Sequence, residues 1–405
     1  MMTEKLFARL QEIYPELVTF RRDLHMYPEL SFQEKETPRK VADFLTQLGL
    51  EVRTEVGGRG VMGILRGGKP GKTVAFRADF DALPIQDEKR VDYKSRIPGV
   101  MHACGHDIHT AALLGVAKVL SEVKDELEGN VIFIHQFAEE VIPGGAKAMI
   151  EDGCLSGVDV IYGAHVASHL PFGTVGVGEG HLMAAGDTFG IDIYGAGGHG
   201  ATPHLTVDPL VVGSQILLNL QQIVSRRVDP LKPAVVTVGS FNGGEAYNVI
   251  PDTAKMKGTV RTFDKDVQDL IEKSIGQITA AACESAGASF QYKYERGYPS
   301  VWNHPEETKR IEQLAKKLFG DEKVGHEPPH MGMEDFSYYL QKVPGTFFWV
   351  GGRDEEGDKS YPHHHPKFDV DERAILMIGQ LFVSACLNYI SDGLVTPELQ
   401  KEVGF

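Results

Sequence analysis

The sequence is poor in cysteine, in clustered positive charge and in long apolar runs. Its 405 residues include four cysteines, none at the C-x-x-C spacing, which argues against a disulfide framework and a closed structural zinc site. No stretch reaches the roughly 18 consecutive apolar residues of a membrane-spanning helix. The formal net charge of −15 and the lack of lysine and arginine clusters argue against nucleic acid and anionic membranes as partners.

The length and the first residues set two further expectations. A chain of 405 residues exceeds the size at which a single hydrophobic core keeps growing, so we expect two domains. Residues 1–17 mix charged and apolar positions and lack the basic, apolar and small-residue order of a secretory signal. We therefore expect a cytoplasmic protein.

Apolar periodicity predicts an α/β protein with a second, smaller domain. Short apolar runs alternate with longer helical patterns in the first and last parts of the chain, which is typical of helices layered on a mostly parallel sheet. Between residues 186 and 296 the pattern changes to alternating strands with two helical runs. We predict a small α+β domain of residues 186–296, inserted into a larger domain of residues 1–185 and 297–405.

Polar side chains follow three of the predicted strands. Asp79 comes after one apolar run, Glu139 and Glu140 after a second, and His165 after a third. Ligands in open α/β sheets bind outside the carboxyl ends of the strands, so these side chains are expected to converge on one crevice.

The stretch MHACGHDIHT, residues 101–110, adds metal-binding side chains to that crevice. Catalytic metals take deprotonated imidazole, carboxylate and thiolate ligands. The candidates are Cys104, His106, Asp107, Glu140, His165 and one of His363, His364 and His365. Each motif alone is more often a solvated surface feature, but their joint appearance at predicted strand ends favours a metal site. A cysteine ligand favours a soft or borderline divalent ion over Mg²⁺ or Ca²⁺.

The adjacent carboxylates Glu139 and Glu140 can have different roles. Neighbouring residues on a strand or turn point in different directions, so one of Glu139 and Glu140 can bind metal while the other acts as a base. The remaining cysteines lie in apolar surroundings and are predicted to be core thiols: Cys154, Cys283 and Cys386.

Eight stretches between about residues 20 and 390 resemble one family when taken in order. They are RRDLHMYPELSFQE, RADFDALPI, MHACGHDIHTAALLG, HQFAEE, GAGGHGATPHLTVDP, NVIPDTAKMKGTVRTF, MGMEDFSYYL and HHHPKFDVDE. The chain is similar to the aminoacylase and aminohydrolase branch of the two-metal carboxypeptidase and deacylase superfamily. This branch includes hippurate hydrolases, N-acyl-amino-acid amidohydrolases and plant auxin-conjugate hydrolases.

The resemblance implies a fold and a metal site. The implied fold is a zinc-exopeptidase-like mixed, mostly parallel sheet with helices on both faces, plus an inserted domain with a four-stranded antiparallel sheet and two helices. It implies two divalent ions, Zn, Mn or Ni, held by Cys104, His106, Glu140, His165 and His364. The triple histidine leaves His363 and His365 open as alternatives to His364.

The resemblance also implies roles around the metals. Glu139 matches the family's general base, and His199 matches a histidine that donates to the oxyanion; its alternative is a loop histidine in a glycine-rich turn. Asn248 and Arg261 match positions that hold the substrate carboxylate, for which the planar guanidinium is suited. A strand arginine paired with a surface acid is the alternative. Two acids are expected to orient ligands rather than bind metal: Asp79 and Asp107.

The implied activity is hydrolysis of N-acyl-amino acids. The alternatives are a dipeptidase or carboxypeptidase of the same superfamily and a catalytically silent protein that binds a small ligand. Phe137, Ala167 and Ser168 depart from common family residues beside the ligands, which affects the expected acyl-group preference. By analogy with the family, we expect a homodimer or a higher homo-oligomer formed through the inserted domain.

Overall fold

The computed structural model of the chain describes residues 2–354 and 361–391. The helices are α1 (Met2–Met26), α2 (Glu36–Gln47), α3 (His106–Ser121), α4 (Ala146–Glu151), α5 (Pro209–Gln222), α6 (Lys265–Ala286), α7 (Pro305–Phe319), α8 (Ser337–Leu340) and α9 (Ala374–Ile390). The strands are β1 (Glu51–Val56), β2 (Gly60–Arg66), β3 (Lys69–Asp79), β4 (Glu128–Gln136), β5 (Val160–Pro171), β6 (Val175–Val177), β7 (Gly180–Met183), β8 (Ala185–Tyr194), β9 (Gly198–His199), β10 (Ala234–Gly243), β11 (Val249–Ile250), β12 (Thr253–Thr262), β13 (Ser289–Arg296), β14 (Val301–Asn303), β15 (Val324–His326) and β16 (Gly345–Arg353).

The chain divides into two compact units. Among the described residues, the larger unit contains residues 2–180, 302–328, 338–354 and 361–391, and the smaller unit contains residues 181–301 and 329–337. The sequence-based prediction placed the inserted segment at residues 186–296 and did not include residues 329–337. Parts of the predicted larger domain, residues 355–360 and 392–405, lie outside the described residues.

An eight-stranded mixed sheet forms the centre of the larger unit, with the order β1-β2-β4-β3-β5-β16-β6-β15. Four neighbouring strands, β4, β3, β5 and β16, run parallel to one another. Strands β1 and β2 pair antiparallel with their neighbours, and β6 pairs antiparallel with β16 and parallel with β15. The central strands are buried on both faces, as the apolar sequence of β3 requires for a covered parallel sheet. This arrangement confirms the predicted α/β fold class.

Helices cover both faces of this sheet. On one face α1, α3 and α9 pack together over alternate residues of β3, such as Val74 and Phe76. On the other face the Tyr339 hydroxyl of α8 donates to Gln136 Oε1 at the end of β4, and lies 3.9 Å from the Met149 sulfur of α4. Because α3 is buried along almost its whole length, its first turn is held firmly against the strand ends.

The smaller unit is an antiparallel sheet covered by two helices. Its four strands follow the order β10-β12-β8-β13. Apolar residues of α5 and α6, including Ile216 and Ile275, pack with Ile191 and Met256 from the sheet. This four-stranded, two-helix unit confirms the predicted α+β insertion. A two-stranded ribbon of β9 and β11 lies beside it in the same unit.

None of the helices in the described residues is long and apolar enough to cross a membrane.

Candidate metal centre

The first turn of α3 brings the MHACGHDIHT motif to the end of the central sheet. Gly105 precedes the helix with a φ of +99°, in the left-handed region that favours glycine. A Cβ at this position would lie 2.3 Å from Val166 Cγ1 of β5. The glycine therefore lets α3 begin in contact with β5, so that Cys104 and His106 lie close to His165.

Five of the ligand candidates lie together, whereas the sixth, Asp107, lies with His25 and Arg21: the five are Cys104, His106, Glu140, His165 and His364. Cys104 Sγ lies 3.4 Å from His165 Nε2, and His364 Nε2 lies 3.3 Å from Glu140 Oε1. The potential ligand atoms in each of three overlapping groups lie within 4.8 Å of one another: Cys104, His106 and His165; Cys104, Glu140 and His364; and His106, Glu139 and Glu140. The groups share members and so form one cluster.

His165 is not at the end of its strand, contrary to the sequence-based prediction. Its strand β5 continues to Pro171 because β16 keeps pairing with it, with Trp349 opposite His165 and Arg353 opposite Pro171. The sequence after His165 contains no glycine or proline before Pro171, so the end of the apolar run did not mark the end of the strand. The site is therefore bordered by a continuing strand on this side.

Hydrogen bonds fix the tautomer of two histidines in the cluster. His106 Nδ1 lies 3.0 Å from the backbone carbonyl of Asp81 and 3.1 Å from its Oδ1, both of which are acceptors. His165 Nδ1 lies 2.8 Å from the backbone carbonyl of Val166. Each Nδ1 must therefore donate, which leaves the Nε2 lone pair for a metal when the ring is neutral. His106 Nε2 is buried and has no hydrogen-bond partner among the described residues.

Asp79 and His109 form a support beside the cluster. His109 Nε2 accepts from the backbone N–H of Val166 at 2.9 Å, and its Nδ1 donates to Asp79 Oδ1 at 2.7 Å. Both ring nitrogens of His109 are thus used in hydrogen bonds. Arg77 donates to the other oxygen of Asp79 at 2.6 Å, and His106 Nε2 lies 3.7 Å from that oxygen. Asp79 contacts a histidine as expected of an orienting acid, but its hydrogen-bond partner is His109.

Asp107 lies in a buried ionic network behind the cluster. Its Oδ2 accepts from His25 Nδ1 at 2.7 Å and pairs with Arg21 Nε at 2.8 Å. Lys89 Nζ, which can only donate, lies 2.8 Å from His25 Nε2. Arg21 and His25 belong to α1, and Asp107 belongs to the first turn of α3. Their contacts therefore hold that turn in position.

The triple histidine separates into three environments. His364 faces Glu140, has a φ of +65°, and donates its backbone N–H to the carbonyl of Ala103 at 2.8 Å. His363 Nε2 accepts from the backbone N–H of Ser168 at 3.2 Å. The ring of His365 stacks on Tyr361 at 4.4 Å. Among the three, the geometry places His364 in the cluster.

The cluster has a strongly negative electrostatic character. Burial raises the pKa of the Cys104 thiol well above its ordinary value, and the carboxylates of Glu140 and Glu139 raise it further. Burial disfavours the charged form of His106, but the carboxylates of Asp79 and Asp81 outweigh it and raise the pKa of His106 to about 10. A cation placed among these groups would be stabilised by the same negative charges, and would favour the thiolate. The donor set and the buried, unpartnered His106 Nε2 therefore fit a divalent metal.

The two carboxylates of the HQFAEE motif lie in a turn after β4. Ala138 has a φ of +51°, a conformation that alanine rarely adopts. Glu139 is 7 % exposed, and Glu140 extends towards His364 and His106. The turn thus holds both adjacent carboxylates beside His106, with an oxygen of each within 4.8 Å of the other and of a His106 ring nitrogen.

The remaining candidates lie in the smaller unit. His199 on β9 is exposed, and its Nδ1 accepts from the backbone N–H of Ala201 at 3.0 Å. The carbonyl of Asn248 accepts from the backbone N–H of Gly200 at 2.8 Å, which brings Asn248 next to His199 on the β9–β11 ribbon. Arg261 is half-buried on β12, opposite Gly186 of β8. Burial lowers its pKa, and the nearby carboxylate of Asp187 opposes this change.

Two sets of supporting residues were missed by the sequence analysis. Asp81 holds His106, and its position two residues after Asp79, in RADFDALP, was the available signal. Arg21 and His25 support Asp107 from α1, and the RRDLH stretch contained them without any spacing that linked them to residue 107.

The chain is similar to a protein family, to named relatives and to solved structures. Residues 75–387 match the model of peptidase family M20/M25/M40. YhaA of Bacillus subtilis, provisionally named an amidohydrolase, is 51% identical over 388 residues, which cover 96% of this chain and 98% of that protein. The N-acyl-L-amino acid amidohydrolase of Geobacillus stearothermophilus is 45% identical over 306 residues, 75% of this chain and 83% of that protein. The solved structure of the Bacillus subtilis YXEP protein, described as a dinuclear metal binding peptidase, matches with a TM-score of 0.81 and 36% identity, covering 94% of this chain and 99% of that one.

Proposed function

Because the chain belongs to peptidase family M20/M25/M40, we propose that it is a metal-dependent amidohydrolase that cleaves N-acyl-amino acids into a carboxylic acid and an amino acid. The observation that carries this proposal is the convergence of Cys104, His106 and His165 in a cluster that also contains Glu139. Similarity to a protein named N-acyl-L-amino acid amidohydrolase supports the substrate class.

We assign two divalent ions, Zn, Mn or Ni, to this cluster, an assignment supported by the dinuclear metal binding described for the YXEP protein. The residues that would hold them are Cys104, His106, Glu140, His165 and His364. Such ions supply charge that polarises the scissile carbonyl and lowers the pKa of a water molecule.

Glu139 acts as the general base in this proposal. Its carboxylate is buried beside Glu140, and it accepts the proton of the attacking water as the amide carbon is attacked. The same carboxyl group then returns the proton to the departing amine, so Glu139 ends each cycle in the state in which it began. Asp81 keeps the proton of His106 on Nδ1, which leaves the Nε2 lone pair for a bound ion.

The smaller unit supplies groups that bind the substrate in this proposal. Because His199 Nδ1 accepts from Ala201, the neutral ring has its proton on Nε2 and can donate to the oxyanion of the tetrahedral intermediate. Arg261 and Asn248 hold the substrate carboxylate through charge-assisted and neutral hydrogen bonds. The larger unit is then the catalytic domain, and the smaller unit is a lid and dimerisation domain of a cytoplasmic homodimer or higher homo-oligomer.

A second candidate function is cleavage of short peptides, which the name of the family favours. The bond and the chemistry are the same for a dipeptide and for an N-acyl-amino acid, since both carry an amide next to a free carboxylate. The two candidates differ in the group on the acyl side, which carries a charged amine in a dipeptide.

The proposed function is tested by a substrate panel. N-acetyl-amino acids, N-benzoyl-amino acids and dipeptides are incubated with the protein and added Mn²⁺, Zn²⁺ or Ni²⁺, and the released amino acid is measured against a Glu139→Ala control. We expect hydrolysis of acyl amino acids by the wild type alone. Hydrolysis of dipeptides only would favour the peptidase, and no turnover of either class would favour a binding protein.

A further inference from the structure

Two buried acids hold the backbone on both sides of Glu139. The N–H of Ala138 donates to Glu34 Oε1 at 2.9 Å, and the N–H of Glu140 donates to Asp81 Oδ2 at 3.0 Å. Glu34 and Asp81 are both 1 % exposed. The peptide groups next to Glu139 are thus fixed from outside the turn rather than by the turn itself.

The turn needs such support because of its backbone conformation. Ala138 has a φ of +51°, and left-handed backbone is unfavourable for residues with a Cβ. A residue remains in such a conformation only when its surroundings hold it there. The hydrogen bond from the Ala138 N–H to Glu34 acts on the strained residue directly.

Glu34 lies in a loop that is itself anchored to the segment after β3. Between α1 and α2, Leu30 bridges to Ala82, and the Ser31 hydroxyl donates to Asp81 Oδ2 at 2.7 Å. Arg59 Nη1 donates to the carbonyl of Glu34 at 2.5 Å. One loop therefore supplies Glu34 to the turn and also steadies Asp81, the second acid that holds it.

We propose that Glu34 is a positioning residue for catalysis: its side-chain oxygen holds Ala138 in the left-handed conformation from which the turn presents Glu139 beside His106. This inference rests on the proposed role of Glu139 as general base. Glu34 does not contact the metal ligands in this account and acts through the backbone alone. Loss of its acceptor is expected to displace Glu139 and to lower the rate of the chemical step.

The Ala138 N–H requires an oxygen acceptor at position 34, and it does not require a negative charge there. Burial raises the pKa of Glu34 to about 8, so the group is mostly protonated at pH 7, and its Oε2 has no hydrogen-bond partner among the described residues. Glutamine keeps an oxygen acceptor of the same reach. Glu34→Gln is therefore the conservative variant that should preserve the turn, whereas Glu34→Ala removes the acceptor.

The test compares four proteins with their metals bound: wild type, Glu34→Ala, Glu34→Gln and Glu29→Ala. Glu29 lies in the same loop, but its carboxylate accepts from the backbone N–H groups of Lys35, Glu36 and Thr37 at the start of α2. We expect Glu34→Ala to lose about 100-fold in kcat with little change in KM. Glu34→Gln and Glu29→Ala should retain kcat close to wild type. Equal losses in Glu34→Gln and Glu34→Ala, or unchanged kcat in Glu34→Ala, would overturn the proposal.

Hydrogen exchange separates this proposal from the proposed function. The amides of Ala138 and Glu140 are expected to exchange faster in Glu34→Ala than in wild type or Glu34→Gln, and this readout needs no turnover. If the wild type hydrolyses no amide, the proposed function fails while exchange still tests the turn. Unchanged exchange in Glu34→Ala would contradict the role of Glu34. If Glu34→Ala does not fold, Glu34→Asp, whose carboxylate is one methylene shorter, is evaluated in the same way.

Discussion

The candidate residues of the two units differ in how they are held. In the larger unit, His106 and His165 are buried, and each has one ring nitrogen fixed by a backbone or carboxylate oxygen. In the smaller unit, His199 on the short β9–β11 ribbon and Asn248 directly before β11 are both exposed. Groups that chelate a cation must be fixed before it binds, whereas groups that contact a substrate must remain accessible to it.

The buried and the exposed histidines also differ in the free energy of their unpaired ring nitrogens. A buried ring nitrogen without a hydrogen-bond partner among the described residues, such as His106 Nε2, costs free energy that a bound ion can recover. The exposed ring of His199 has no such cost, because water is available to it. Changes in the larger unit should therefore affect metal binding, and changes in the smaller unit should leave metal binding unchanged and affect the binding of the substrate and of its tetrahedral intermediate.

The largest expected effect is at the general base. Glu139→Gln keeps the size of the side chain and removes its ability to take a proton. We expect kcat to fall about 10²- to 10⁴-fold, with the metal content of the purified protein unchanged by mass spectrometry. A variant with full activity would contradict the assignment of the base, and a variant without metal would show that Glu139 is itself a ligand.

The next effect concerns metal affinity. Asp81→Ala removes the carboxylate at His106 Nδ1 and the acceptor for the Glu140 N–H. We expect metal affinity to fall about 10- to 100-fold, as for other residues that orient a ligand. Affinity is measured by competition with a chromophoric chelator. Arg261→Ala, from the smaller unit, is the control and should leave metal affinity unchanged; equal losses in both variants would remove the distinction between the units.

A third prediction concerns the substrate carboxylate. Arg261→Ala should raise KM for an N-acyl-amino acid about 10- to 100-fold, since a hydrogen bond to a charged group is worth about 1.5 to 3 kcal/mol. The matched substrate is the corresponding N-acyl-amino-acid amide, which lacks the carboxylate and whose KM should change little. If KM rises equally for both substrates, Arg261 does not bind the carboxylate.

The last prediction concerns stability and its dependence on pH. Burial raises the pKa of Glu34 from 4.5 to about 8 in the folded chain. Between these two values the folded chain keeps a proton that the unfolded chain has released, so this group lowers the free energy of unfolding as pH rises, by at most about 1.4 kcal/mol per pH unit. Glu34→Gln should lose this contribution.

The measurement is denaturant unfolding of wild type and Glu34→Gln at a series of pH values. The stability of Glu34→Gln relative to wild type should increase from pH 5 to pH 8. The exposed substitution Glu151→Gln is the control and should show a smaller slope. A constant difference between wild type and Glu34→Gln across this range would mean that Glu34 is ionised in the folded protein.

The same contrast explains what the sequence predicted. The fold class followed from apolar periodicity, because a parallel sheet buried on both faces requires continuous apolar runs such as β3. Cys104 and His106 lie at the start of α3, as the motif predicts, whereas His165 lies beside them although its strand continues to Pro171. The residues of the smaller unit were identified by resemblance alone, since His199 and Asn248 have no local pattern that specifies a function.

The supporting residues could not be predicted from the sequence, because they act over long separations. Asp81 contacts His106 across 25 positions, and His25 contacts Asp107 across 82. The assignment among the three histidines likewise needed the structure: His364, which has a φ of +65°, faces Glu140. Such contacts depend on tertiary structure rather than on spacing.

The central claim is that the buried cluster of the larger unit hydrolyses an amide with the help of bound ions. The most direct measurement is the rate of hydrolysis of an N-acyl-amino acid by the whole chain before chelation, after chelation, and after two equivalents of Mn²⁺, Zn²⁺ or Ni²⁺ are returned. We predict loss of activity on chelation and recovery with two equivalents. An unchanged rate in protein that mass spectrometry shows to be free of metal would contradict the account.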